Sequence, residues 1–345
     1  MTPARTPARR RQIALAATVS TLFLAGCTGT AEDETPVEPT AEEGTFPVTI
    51  EHAFGSTTIE DAPERVVTWG WGSTDAVVAL GVTPVAIPFQ AYGGDAQGVL
   101  PWIREALEDA GDEVPTVLPD TGEDVPFEEI AAAEPDVILA QYSGLTQEQY
   151  ATLSAIAPVV AYPDEPWSTP WREVVTITGQ ALGLDDKAQE VLADIDQQVA
   201  RHRGEHPEFE GLTLAAVWDV GSTFYVYADE DPRVAFMLDL GFENAPAVDT
   251  LDTDESPFYF TLSYERLDEL TSDVLVAYGT TPEELQGFLD APYAQVMPQL
   301  SSGAVARLVG AERIASVSPP TALSLPWGLD DVVDQLAAAV AARNG

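Results

Sequence analysis

Two fourteen-residue stretches of this chain repeat one another. FEEIAAAEPDVILA at 127–140 and YERLDELTSDVLVA at 264–277 both read aromatic, Glu, any residue, Ile or Leu, five variable positions, then Asp-Val-Ile/Leu-aliphatic-Ala. The offset is 137 residues throughout, taking Glu128 to Glu265, Asp136 to Asp273 and Ala140 to Ala277. Each unit predicts a short helix feeding a buried strand, with an aromatic at the strand's end, Tyr142 in one and Tyr278 in the other. Two α/β units can look alike by chance. Here each copy stands at a comparable place in its own half, which points to two similar lobes.

The rest of the pattern agrees. Short apolar runs at 66–69, 85–89, 137–140 and 159–162 read as strands, separated by helical patterns at 74–80, 99–110, 126–133 and 147–155. In the second half, strands are expected at 213–218, 224–228, 274–277 and 314–317, with helices at 232–240, 282–289, 293–300 and 329–343. This alternation argues for mostly parallel sheets with covered faces. Between the halves, 168–204 carries Ala188, Val191, Leu192, Ile195 and Val199 on one helical face. Asp185 is placed to cap that helix, and Gly204 with Pro207 to end it. The expected fold is α/β, with two Rossmann-like lobes joined by a long connecting helix and a ligand cleft between them. The divisions are 46–166, 167–206 and 207–345.

Ahead of the lobes lie Arg9, Arg10, Arg11 and an apolar run from Ile13 to Ala25, too short to span a bilayer. The run ends Leu24-Ala25-Gly26-Cys27, at the only cysteine, and resembles a bacterial lipobox. On that reading 1–26 is a lipoprotein signal peptide and Cys27 carries the lipid, with several acyl chains holding the protein outside a membrane. An ordinary signal peptide with a chance cysteine is the competing reading. Residues 27–45 read as a disordered acidic tether.

The chain has 15 basic and 57 acidic residues, net −42. Without Arg5, Arg9, Arg10 and Arg11 the mature chain has 11 against 57, net −46. That sign excludes nucleic acid and a basic membrane-binding patch. The acidity reads as solubility, in a salty medium or otherwise, with a role in ligand choice as the alternative.

With these landmarks in place, the chain resembles the substrate-binding proteins of ABC importers, in the iron-siderophore, haem and cobalamin class with a helical backbone between lobes. PERVVTWGWGSTDAVVALGVTPVAI (63–87), PFEEIAAAEPDVILA (126–140), LSAIAPVV (153–160), WREVVTITGQALGLDDKAQEVL (171–192), DPRVAFMLDLGF (231–242) and SPFYFTLSYERLDEL (256–270) carry the resemblance in order. It covers nearly the whole mature chain, and it implies a non-enzymatic, monomeric receptor with no cofactor. The implied ligand is a ferric siderophore chelate, the implied partner a permease dimer, and the implied location the outer face of the bacterial cell membrane. Haem or cobalamin remains the alternative ligand, and a surface sensor or adhesin the alternative role. In this family one surface glutamate per lobe docks on arginine pockets of the permease. The matching positions are Glu128 and Glu265, which could equally be solvated carboxylates.

Ligands of open α/β sheets bind beyond the carboxyl ends of the strands. Just past the strands lie Trp69, Trp71, Gln90, Tyr92 and Tyr142 in the first half. In the second lie Trp218, Tyr225, Tyr227 and Tyr278, with Trp327 near the last helix. So many amphipathic rings suit a bulky, partly apolar ligand. Arg233 is the best cationic candidate for the cleft. One arginine among many rings favours a neutral or cationic hydroxamate complex over an anionic catecholate.

His202 and His206 have ligand-like i, i+4 spacing but stand at a helix end and read as solvated, so no metal site is expected. No nucleophile elbow, Walker loop or G-x-G-x-x-G occurs, and no catalytic residue is assigned.

Overall fold

The computed structural model describes residue 44 and residues 46–344, apart from 120, 123 and 254. The segment read as a signal peptide, Cys27 and nearly all of the segment read as an acidic tether lie outside the described residues. Residues 42–345 cluster as one compact unit.

The first lobe runs β1 (Val48–His52), β2 (Gly55–Ile59), β3 (Val66–Thr68), α1 (Ser73–Ala79), β4 (Ala86–Ile87), α2 (Pro101–Ala110), β5 (Thr116–Val117), α3 (Phe127–Ala132), β6 (Val137–Ala140), α4 (Gln147–Leu153) and β7 (Val159–Ala161). Its main sheet has the order β5-β4-β3-β6-β7, and every pairing is parallel. The central strands are buried on both faces, which is why VILA shows no polar alternation. The antiparallel hairpin β1–β2 is an addition to the expected elements. It tucks Ile50, His52, Thr57 and Ile59 inward, and the Thr57 hydroxyl donates to the Val159 carbonyl of β7 at 2.6 Å.

The connection is two helices, α5 (Trp171–Leu182) and α6 (Asp185–Glu205). They divide at Gly183, whose φ of 68° closes α5 in the left-handed conformation. Asp185 is the first helical residue of α6, and the cap position is Leu184 with no side-chain cap bond. The expected Asp185 cap is therefore not made. Its carboxylate instead lies with Asp186 in the first turn, where the helix dipole favours negative charge. α6 buries Ala188, Ile195 and Val199 and leaves its other face to solvent.

The second lobe runs β8 (Thr213–Val220), β9 (Thr223–Tyr227), α7 (Pro232–Asp239), β10 (Glu243–Asn244), α8 (Pro246–Leu251), β11 (Tyr259–Thr261), a 3-10 turn (Tyr264–Glu269), β12 (Val274–Gly279), α9 (Pro282–Asp290), α10 (Pro298–Ser302), β13 (Val305–Val309), α11 (Ala311–Val317) and α12 (Ser324–Arg343). Its sheet, β11-β9-β8-β12-β13 with β10 beside β8, is mixed: β9 is antiparallel to both β8 and β11. The expected strand at 314–317 is the end of helix α11. Four apolar residues in a row do not separate a buried strand from a buried helix face, and the edge strand is the alternating Val305–Val309. Pro298 also divides the helix expected at 293–300 into a short turn and α10.

The sequence repeat is a structural repeat at its core. β3 pairs with β6 through Val66 and Val137, and β8 pairs with β12 through Leu214 and Val274. Asp136 accepts the backbone N–H groups of Glu64 and Arg65 at 2.7 and 3.0 Å, just before β3. Asp273 plays the same part at the first residue of β8, the strand beside β12, taking the N–H and hydroxyl of Thr213 at 2.9 and 3.0 Å. Each aspartate thus pins the entry of the strand beside its own.

Candidate functional site

The loops beyond β3 and β6 are braided. Gly70 adopts φ +90°, and a Cβ there would lie 2.2 Å from the Tyr142 carbonyl oxygen. Only glycine allows that approach, and it lets the Trp71 N–H donate to the same carbonyl at 3.0 Å. Trp71 and Tyr142 therefore stand side by side at the carboxyl edge of the first sheet.

They form one wall of a cavity of about 360 Å³. The start of the connection, 167–175, forms its floor, the turn into α7 (230–236) with Phe258 and Tyr259 its opposite wall, and residues 319–322 a fourth side. A second cavity of about 560 Å³ lies over the first sheet, lined by 69–71, 88–90 and 144–146 among others. Trp71 and Trp167 face both.

Of the residues expected from sequence, Trp71, Tyr142 and Arg233 line the first cavity, and Trp69, Trp71 and Gln90 the second. Gln90 donates to the Gly70 carbonyl at 3.0 Å, which steadies that loop. Tyr225 meets Tyr259 edge-on, centroids 5.5 Å apart, behind the cavity wall. Tyr227 and Tyr278 lie beneath Arg233 as a buried edge-to-face pair at 5.8 Å. Burial pushes the Tyr227 hydroxyl up to about 12 and the Tyr278 hydroxyl further still, so both stay protonated. The Tyr278 hydroxyl has no hydrogen-bond partner among the described residues. Trp218 donates to Glu284 at 2.7 Å, and Tyr92 is exposed and lines neither cavity. Trp327 lines neither cavity: it rests on Trp102, centroids 5.4 Å apart, and donates to Glu105 at 3.1 Å.

Five rings of the first cavity were not anticipated: Trp167, Trp171, Phe236, Phe258 and Tyr259. Trp167 is 50% exposed and holds a left-handed φ of 60°. Its indole lies edge-on to Tyr142 at 5.7 Å. Gly144 leaves the room, since a Cβ there would come within 2.4 Å of the Trp167 Nε1. The stretch Pro166-Trp167-Ser168-Thr169-Pro170-Trp171 carried the signal. Two prolines and two tryptophans ahead of a helix are more than a linker needs.

The electrostatics centre on Arg233. Its Nε donates to Asp231 at 2.8 Å, and its guanidinium lies 3.9 Å over the Tyr227 ring. Asp231 also caps α7 by accepting the Arg233 N–H at 2.9 Å. Burial raises the Asp231 carboxyl from its ordinary value, and the Arg233 charge opposes that rise. This cation of the cleft wall is thus already compensated. Arg172, also on the rim, covers Trp171 at 4.3 Å and pairs with Asp196 at 2.7 Å. What remains is a ring-lined hollow with hydroxyl groups and the Glu230 carboxylate in its lining, suited to enclosing a bulky body that is neutral or weakly cationic.

Glu128 and Glu265 are exposed, each the second residue of its turn, α3 or the 3-10 turn. The ring before Glu265, Tyr264, is anchored by donating to Asp219 at 2.6 Å. His202 is buried rather than solvated and bonds Asp330 at 3.0 Å, while His206 stacks on Phe209.

A family described as periplasmic binding protein matches residues 66–310. Among curated proteins, the chain is 31% identical over 233 residues to the probable siderophore-binding lipoprotein YfiY of Bacillus subtilis (strain 168), covering 66% of this chain and 67% of that one. It is 27% identical over 204 residues to the Fe(3+) dicitrate-binding periplasmic protein FecB of Escherichia coli (strain K12), covering 59% and 63%. The chain thus spans under two-thirds of the length of FecB. Among solved structures, PiaA of Streptococcus pneumoniae TIGR4 in complex with ferrichrome superposes with a TM-score of 0.75 at 32% identity, covering 86% of this chain and 99% of that one. A periplasmic solute binding protein from Mycobacterium smegmatis gives 0.72 at 28% identity, covering 85% and 98%.

Proposed function

The chain belongs to the periplasmic binding protein family, and on that premise we propose that it is the receptor of an ABC importer for a ferric siderophore, of the hydroxamate type. It encloses the intact chelate between its lobes and passes it to a permease dimer, which it meets through Glu128 and Glu265. It is held at the outer face of the cell membrane by lipid on Cys27, acts as a monomer and performs no chemistry on its cargo. The relatives support the class: YfiY is named as siderophore-binding, and PiaA was solved with ferrichrome.

The ion pair Arg233–Asp231 carries the choice of ligand. A ferric tris-catecholate brings several negative charges into a low-dielectric cleft and needs uncompensated cations there. Here the guanidinium is balanced by a carboxylate of which 2% is exposed, among rings that favour dispersion and stacking. A neutral or singly cationic ferric hydroxamate meets no such penalty.

Titration of the tryptophan fluorescence against ferrichrome, ferrioxamine B, a ferric tris-catecholate, haem and cobalamin tests the reading. Saturable quenching by the hydroxamates is expected. Tight binding of the catecholate, haem or cobalamin with none of the hydroxamates overturns it.

A further inference from the structure

Asp75 sits in α1 with 1% of its surface exposed. Its Oδ1 accepts the indole N–H of Trp102 on α2 at 2.6 Å and the hydroxyl of Thr321. Thr321 belongs to the stretch between α11 and α12, and residues 319–322 of that stretch are a side of the first cavity. The stretch departs from the second lobe's edge and is fastened to α1 and α2 of the first. Trp71 Nε1 donates to the Pro319 carbonyl at 3.3 Å, and Trp327 rests on Trp102. The Thr321 N–H and hydroxyl also exchange bonds with Ser324 at the start of α12, at 2.8 and 3.0 Å. Asp75 is thus a junction of hydrogen bonds rather than half of an ion pair: the groups acting on it are the indole, the hydroxyl and its own N–H.

A buried carboxylate with no cation beside it is costly and is kept where its directed bonds matter. We propose that Asp75 is a positioning residue for ligand binding: together with Trp102 it fixes Thr321, and so holds the 319–322 side of the cavity in place across the two lobes. Asp75 does not itself line the cavity. The inference rests on the cavity being the ligand site, but the anchoring can be read without any ligand.

The test uses the full chain as wild type, Asp75→Ala, Asp75→Asn and Thr321→Val. Amide hydrogen exchange is followed in 316–328 and, as a control, in β12, and ferrichrome is titrated into each. Losing a bond to a charged acceptor should speed exchange of 319–327 by about tenfold or more and weaken ferrichrome by a similar factor in Asp75→Ala and Thr321→Val, with β12 unchanged. Asp75→Asn keeps the Oδ1 acceptor and should restore both. Unchanged exchange of 319–327 in Asp75→Ala and Thr321→Val overturns the proposal, as does Asp75→Asn failing like Asp75→Ala. Faster exchange with ferrichrome affinity intact refutes the role in binding. If the wild type binds no ferrichrome yet the stretch loosens as expected, the assigned ligand is wrong and the anchoring stands. Should Asp75→Ala not fold, Thr321→Val, nearly isosteric and leaving the carboxylate in place, decides alone.

Discussion

The Nε of Arg233 donates to Asp231 at 2.8 Å in a pair whose carboxylate is almost wholly buried, so the most prominent cation of the cleft wall faces it already neutralised. Removing one partner leaves the other charge buried and alone. Arg233→Met should cost about 3 kcal/mol in urea unfolding, and Asp231→Asn should shift ligand preference toward anionic chelates. Competition between ferrichrome and a ferric tris-catecholate measures the second effect. A preference unmoved by Asp231→Asn would sink the argument from charge balance.

Asp75 makes stability depend on pH. Burial raises its carboxyl from 3.8 to about 6, against the hydrogen bonds from Thr321 and Trp102. None of the groups acting on it from α2, the 319–324 stretch or its own helix is charged, and Glu105 of α2 is turned to Trp327. With the folded value above the unfolded one, the stabilisation is complete below about pH 3.8 and is lost as pH rises through about 6. Asp75→Asn cannot ionise. Its stability relative to wild type should therefore grow by roughly 2–3 kcal/mol between pH 4 and pH 7.5, read from paired denaturation curves. A difference that stays flat across that range contradicts the buried-acid assignment.

Gly144 makes room for Trp167. A methyl group at 144 would meet the indole Nε1 at 2.4 Å and push the ring away from Tyr142. Because Trp167 is half exposed, Gly144→Ala should leave the melting temperature within a few degrees yet weaken ferrichrome binding by about tenfold. Titration beside a thermal melt separates the two readouts.

Asp136 and Asp273 predict matched losses. Asp136→Ala strands two backbone N–H groups, and Asp273→Ala strands Thr213 together with Arg343, which pairs with it at 2.6 Å. Each should lower stability by about 1–3 kcal/mol, the second more than the first. Equal, negligible losses in urea melts would show that the repeat is one of sequence alone.

Charge reversal at the exposed glutamates tests docking. Glu128→Arg and Glu265→Arg should abolish iron uptake in cells while ferrichrome binding to the isolated protein persists, because neither residue lines the cavities. Uptake at the wild-type rate in both variants removes the docking role.

The strand cores and the repeat were legible because their signals are local and periodic: an aspartate, then four apolar residues buried on both faces. The same logic failed at 314–317, where an apolar tetrad is the inner face of α11, and at Asp185, where the cap position fell on Leu184. The lining of the candidate cavity was anticipated in part. Trp71, Tyr142 and Arg233 come at strand ends or helix starts, positions that topology marks out. Trp167, Trp171 and Tyr259 reach the cavity through the entry to α5 and an antiparallel edge strand, which no strand-end rule covers.

By itself the sequence determined two α/β halves, their shared helix-to-strand unit and the sheet edges where rings would gather. Those follow from residue periodicity and from which backbones can be buried on both faces. Only the tertiary structure decided which rings share a hollow, that Arg233 meets Asp231, and that Asp75 reaches Thr321 across 246 residues of chain. Such contacts depend on how separately formed layers pack. That packing is set by the sum of many weak long-range contacts and leaves no local pattern along the chain.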